Sequence, residues 1–216
     1  MSPRETTFDR AAVLGAAVEI VRGKGWDALT ARAVADRLAS SVAPVYSTFG
    51  SMEALQRAIL EEARARLHES TTVAYTPDAF LNIGVGIVVF AREEGQLFAA
   101  LFHTRHHHAD IVEGVFASIL ERMKADPVLK QLPGRSLDRL LHYLGLYTLG
   151  LAASVVYGRT ADRSTEAIVA LMRNAGNMTI FGELSGLAEI GGPDYEREWA
   201  RVLRDKNIVL PTKENP

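Results

Sequence analysis

The sequence predicts an all-α protein in two parts, a block of three short N-terminal helices followed by a larger helical remainder. Three observations carry this. Apolar positions recur at spacings of roughly 3.6 along most of the chain. Alternating apolar and polar runs and Asn-Gly hairpin signals are nearly absent. The polar stretch from Ser70 to Asp78, which holds Pro77, is the one clear break.

The elements follow in order. Val13, Ala17, Ile20 and Val21 share one face of a first helix, Phe8 to Gly23, which Gly25 stops. Thr30 is the expected N-cap of a second helix carrying Val34 and Leu38. Ser40 or Ser41 caps a very short third helix with Val45, Tyr46 and Phe49. Ser51 opens a long fourth helix, 51–70, with Leu55, Ile59, Ala63 and Leu67 on one stripe. Beyond the break, helices are expected at Phe80 to Arg92, Glu94 to Phe102, and Asp110 to Lys124. In the last of these Asp110 and Glu113 form a capping-box-like pair. Ser136 to Tyr157, Thr165 to Gly182 and a charged helix at Tyr195 to Lys206 complete the chain.

Composition narrows the function classes. The chain has 216 residues, 48% hydrophobic and 23% charged, as packed globular domains do. Its 24 Lys and Arg against 26 Asp and Glu leave a net charge of −2, which excludes coating nucleic acid by bulk charge. There is no cysteine, so no disulfide framework, thiolate zinc site or cysteine nucleophile. The first ten residues show no secretion signal. The longest uncharged apolar stretch, Tyr143 to Gly158, is shorter than the roughly 20 residues that span a bilayer, and reads as a buried helix. A cytoplasmic protein with no membrane partner is expected. No Gly-rich phosphate loop, G-x-S-x-G or paired carboxylates suggest an enzyme, and no cofactor or catalytic residue is assigned.

Three short helices with a tight turn between the second and third form a helix-turn-helix pattern. The wording is more specific than the pattern. Residues 13–26 read V-L-G-A-A-V-E-I-V-R-G-K-G-W, and residues 29–38 read L-T-A-R-A-V-A-D-R-L. Residues 45–55 read V-Y-S-T-F-G-S-M-E-A-L, with Tyr46, Phe49, Ser51, Glu53 and Leu55 in the pattern Y-x-x-F-x-S-x-E-x-L. From Phe8 to Leu60 the block resembles the DNA-binding domain of the TetR (tetracycline-repressor) family of transcriptional regulators. The resemblance implies a DNA-binding domain at 1–52, joined by the fourth helix to a ligand-binding and dimerisation domain at 53–216.

Residue chemistry agrees with that implication. Thr30 and Arg32 open the second helix toward phosphate. Ser41 can cap the amides at the start of the recognition helix, and Val42, Ala43, Pro44 and Ser47 lie at its N-terminal end, where base edges are met. Tyr46 and Thr48 fall on other faces with hydroxyls for phosphate. There are departures from the family pattern. Ala39 stands where a turn Gly is usual, and Val42 where a Lys is common. Thr48 replaces a frequent His, and Met52 a common Lys. No Lys or Arg lies between Val42 and Leu55. Binding is therefore expected to draw less on phosphate neutralisation, each lost contact removing about 0.9 from the salt slope.

In the second domain, 137–157 and 165–181 are long, nearly uncharged arcs with small residues such as Gly145, Gly150 and Gly176. They are expected to form a homodimer interface. An effector pocket is expected among Phe90, Phe98, Phe102, His103, Phe116 and Leu120, with His142, Tyr143 and Tyr147 as polar handles. His103, His106, His107 and His108 sit just before a helix N-cap, so they read as a solvated loop and no metal is assigned. A ligand-released repressor bound to a palindromic operator is the expected function. A small-molecule-binding helical dimer with weak or lost DNA binding is the alternative.

Overall fold

The computed structural model describes residues 8–104, 107–184, 201 and 204. Among these the chain is helical and shows no strand. Helix α1 (Arg10–Lys24) is capped by Asp9, whose carboxylate accepts from the Ala12 amide, and is stopped by Gly25 at φ 83°. Helix α2 (Ala31–Arg37) starts at Thr30, whose hydroxyl accepts from Ala33 N at 3.1 Å as expected. Helix α3 (Ala43–Phe49) has Pro44 in its first turn, where the missing N–H costs nothing. Its N-cap position is Val42, and Ser41 reaches past it to accept from Ala43 N at 3.3 Å.

Helix α4 (Met52–Thr72) is capped by Ser51, which accepts from Ala54 N at 3.1 Å. Its N-terminal half packs on α1 and α3. Leu55, Ile59, Leu60, Ala63 and Leu67 are buried along its stripe, each large one stabilising the fold by about 1.5–3 kcal/mol. Its C-terminal half packs on α5 (Ala79–Glu93), which starts at the capping carboxylate of Asp78. Then come α6 (Gly95–Phe102), α7 (Ala109–Ala125), α8 (Gly134–Val156) and α9 (Thr165–Leu184). Helix α5 is the hub: it packs on α4, α6, α7, α8 and α9, and buries Ile83, Val85, Val88, Val89 and Phe90.

Two expectations change. The α7 helix begins at Ala109 with no side-chain cap, because the Asp110 carboxylate is held instead by Arg57 of α4 at 2.6 and 3.2 Å. That guanidinium holds the Asp110 carboxyl below its usual range. The apolar stretch of α8 is not buried all round. Leu137, Leu140, Leu144, Thr148, Ala152 and Val155 face the core, while Tyr143, Leu146, Tyr147 and Tyr157 are exposed. At 23 residues α8 is also long and apolar enough to cross a membrane by length and composition alone. The charged helix expected at 195–206 lies, save 201 and 204, outside the described residues.

The turn between α2 and α3 explains one departure in the sequence. Ser40 N donates to Ala35 O and Ala39 N to Asp36 O, the pair of bonds that closes a helix when the next residue is left-handed. Ala39 adopts that conformation at φ 49°. A left-handed alanine costs about 1–2 kcal/mol, partly offset by the chain entropy that a glycine would lose. Ala39→Gly is therefore expected to stabilise the protein by up to about 1 kcal/mol, and Ala39→Val to destabilise it by more. Thermal unfolding of the two variants decides this.

Candidate nucleic-acid interface and ligand cavity

Helix α3 is held by its inner side. Val45 and Phe49 are buried against α1, α2 and α4. The Arg10 guanidinium lies 4.0 Å over the Phe49 ring and donates to Thr48 O at 3.3 Å, so one α1 side chain fixes both the inner ring and the C-terminal end of α3. Arg10 was not legible as a site residue, because its partner lies 38 residues away.

The outer side of α3 then points to solvent. Val42, Ala43, Tyr46 and Ser47 are exposed, Tyr46 by 48%. Thr48 is half-buried and its hydroxyl donates back to Pro44 O at 2.6 Å, so it is held within the helix. Ser47 makes the same bond at 3.3 Å but remains exposed. Arg32 is 82% exposed on α2 and pairs with Asp36 at 3.0 Å. The N-terminus of α2, capped by Thr30, lies on the element packed beside α3. The resulting face is a short helix of small apolar and hydroxyl groups with one phenol. It can fill a groove and contact methyl groups, but it carries no fixed cation of its own.

A cavity of about 90 Å³ lies among α5, α7, α8 and α9. Its walls are apolar, including Phe80, Ile83, Ile87, Phe102, Phe116 and Leu144. The Met172 methyl lies tight against Gly84, and the Phe116 ring approaches the bare Cα of Gly145. Polar atoms come from Thr148, Asn177, Arg173 and Asp78. Thr148 is buried and donates to Leu144 O at 2.6 Å.

Of the pocket residues expected from sequence, Phe102 and Phe116 reach this cavity. Their rings are 6.5 Å apart, and Phe98 continues the row into the core at 5.1 Å from Phe102. Phe90 and Phe98 are buried core residues, and Leu120 packs half-buried against that core. His103 ends α6, with Nδ1 3.3 Å from the Tyr157 hydroxyl and its ring stacked on Tyr157 at 6.1 Å. His142 lies with Asp138 and Leu146 in a shallow depression that shares Phe116, Leu141, Gly145 and Leu149 with the cavity. Tyr143 and Tyr147 are exposed on the outer stripe of α8. None of the three expected polar handles lines the cavity itself, and the polar residues that do are Thr148, Asn177, Arg173 and Asp78. Of the histidine run, His107 is exposed, His108 is buried, and His106 lies outside the described residues. Among the described residues, no group of three His, Asp or Glu could hold a metal.

The two regions are physically joined. Glu94, between α5 and α6, accepts from Arg22 of α1 at 2.6 Å and pairs with Arg66 of α4 at 3.5 Å. At the far end of α4, Ser70 donates to Gly86 O at 2.9 Å. There Arg122 of α7 donates to Thr71 O at 2.7 Å and to the Thr71 hydroxyl at 2.8 Å. The α4 helix is therefore tied to the elements that wall the cavity at both ends, by Arg57 to Asp110 of α7 near its start and by Ser70 and Thr71 at its far end, and carries α3 at its start.

The apolar outer stripes of α8 and α9 run alongside. Leu146 is 59% exposed, Met178 77% and Phe181 69%. On α9, exposed Leu171, Met178 and Phe181 recur at helical spacing as one stripe, interrupted by the polar Asn174.

Residues 13–59 match the family model of bacterial regulatory proteins, tetR family. No curated protein matches the sequence. Two solved structures are similar in fold. One is a glutamine-to-alanine variant of TetR from Acinetobacter baumannii in complex with minocycline, at 18% identity and TM-score 0.54, covering 82% of this chain and 97% of that one. The other is a transcriptional regulator, a TetR from Streptomyces coelicolor, at 19% identity and TM-score 0.58, covering 80% and 97%.

Proposed function

We propose that this chain, whose residues 13–59 match the tetR-family model, is a ligand-responsive, sequence-specific regulator of transcription, bound to its operator as a homodimer and released by a small molecule. The observation that carries this is the continuity of α4, which bears α3 at one end and is gripped by α5 and α7, two walls of the cavity, at the other. Under this reading Val42, Ala43 and Ser47 meet the major groove, and Thr30, Arg32, Ser41 and Tyr46 meet the backbone. The effector is an apolar molecule held among Phe102, Phe116, Ile83 and Leu144, and oriented by Thr148 and Asn177.

Dimerisation is assigned to the outer stripes of α8 and α9, within the arcs 137–157 and 165–181. Tyr143, Leu146 and Tyr147 on α8 and Met178 and Phe181 on α9 are exposed large apolar residues of the kind a second copy covers. Two such helices from each protomer give a four-helix contact and place two α3 helices about one turn of DNA apart. With α8 covered in this way the protein is soluble and cytoplasmic, and no cofactor enters the scheme.

Release follows by differential binding. A ligand that fits only a widened cavity favours the conformation in which α7 and α5 have moved, and α4 moves with them. Selection of random duplexes by the ligand-free protein at low salt tests the reading. A palindrome with half-sites one turn apart is expected. Retention without sequence preference would instead favour a helical ligand-binding dimer with lost DNA binding, the reading that the uncharged α3 face supports.

A further inference from the structure

The cavity has a neighbour. Behind Ile87, Val115 and Ile119, which line both, a cleft of about 330 Å³ opens between α4 and α7. Its character is different. Arg64 and His68 reach it from α4, Arg122 and Ser118 from α7, and among the described residues no Asp or Glu lines it. Arg64 is shared with Glu61 at 2.8 Å. Arg122 is half-buried, and burial holds its guanidinium below the usual arginine range. Its hydrogen bonds go to Thr71, and among the described residues no carboxylate faces it.

A partly desolvated cation without a counter-charge is unfavourable. The carbonyl end of α4 supplies a partial negative charge, but two bonds to Thr71 leave further N–H donors of the fork unused. A planar carboxylate matches that fork and is bound more strongly than a neutral acceptor. The partition of Ile87, Val115 and Ile119 offers hydrocarbon on the inner side of the same cleft, in contact with the apolar cavity.

We propose that the α4–α7 cleft is the head-group site for an amphipathic carboxylate, with the acid on Arg122, flanked by His68 and Arg64, and the hydrocarbon body passing Ile87 and Ile119 into the apolar cavity. This rests on the reading of that cavity as the effector site, and names the class of effector. It also gives the effector a direct hold on α4, because the acid takes donors from the side chain that grips Thr71.

Calorimetric titration of the full chain with straight-chain carboxylates from hexanoate to tetradecanoate, each paired with the alcohol of equal length, tests it. The best carboxylate is expected to bind about tenfold or more tighter than its alcohol, as a charge-assisted pair replaces a neutral one. Ser118→Glu places an anion at the exposed rim of the cleft without disturbing the bonds to Thr71. It is expected to remove that preference without lowering the melting temperature. Equal binding of acid and alcohol, or a preference that survives Ser118→Glu, overturns the head-group site and leaves the cavity reading standing. Binding by neither series removes the cavity reading and the head-group site together.

Discussion

Gly86→Val is expected to leave little folded protein, and Gly86→Ala to cost about 3 kcal/mol. The α4 and α5 backbones cross at this position. A Cβ on Gly86 would meet the Ser70 carbonyl group and lie 2.6 Å from Thr71 Cα. These are main-chain atoms, so no rotamer change relieves the contact. The Ser70 hydroxyl bond to Gly86 O, at 2.9 Å, resists separation of the helices. Overpacking of this kind costs about 1–3 kcal/mol even where side chains can shift, and more where they cannot. The gain of about 1 kcal/mol from replacing a helical glycine only partly offsets it. Gly84, one residue pair earlier on the same helix, gives the contrast. Its nearest neighbour is the Met172 methyl, the free end of a flexible side chain, so Gly84→Ala is expected to cost under about 1 kcal/mol. Chemical denaturation of both variants measures the difference. Equal losses would mean that the close crossing does not govern how α4 and α5 pack.

Ala43→Asp is expected to weaken operator binding about a hundredfold or more with no loss of stability. Ala43 is the first residue of α3 and is exposed. A carboxylate there complements the helix N-terminus, worth about 0.3–1 kcal/mol to the free protein. Against DNA the same group meets phosphates of like charge, and such juxtapositions cost several kcal/mol. Because α3 has no Lys or Arg, nothing on the helix neutralises the new charge. Fluorescence anisotropy with the selected duplex reads the affinity, and thermal unfolding reads the stability. An unchanged affinity would place the start of α3 away from the duplex and shift the balance toward the ligand-binding dimer.

The helices themselves were largely legible. Thr30 and Ser51 cap α2 and α4 as their sequence context indicates, because an N-cap bond spans three residues and needs nothing distant. Asp110 shows where local reading fails. It has the chemistry of a cap, but Arg57, 53 residues earlier, takes both its oxygens. The second domain was harder for a related reason. Helix α8 has apolar residues on two faces, and periodicity finds both without saying which one turns inward. His142, Tyr143 and Tyr147 lie on the side that faces out, whereas Thr148, one residue on from Tyr147, is buried at the cavity. Arg122 gave no signal at all, since its meaning depends on the end of α4 reaching it.

The positions of the anchors along α4 have a mechanical consequence. Ser70 and Thr71 are fixed to α5 and α7, and Arg66 is tied to Glu94 nearby, all at the C-terminal end of a 21-residue helix. From Ser70 to Ser51 the axis runs about 28 Å at the rise of an α-helix. A tilt of one degree about the crossing with Gly86 therefore carries the start of α4, and α3 with it, by about 0.5 Å. A five-degree tilt displaces each reading head by about 2.5 Å, and in a two-fold pair the two displacements add or oppose according to the direction of the axis. Sub-ångström rearrangement around Gly86 is thus magnified before it arrives at the groove, and the stiffness of that crossing sets the gain together with the exposed Arg57–Asp110 pair nearer the start of α4.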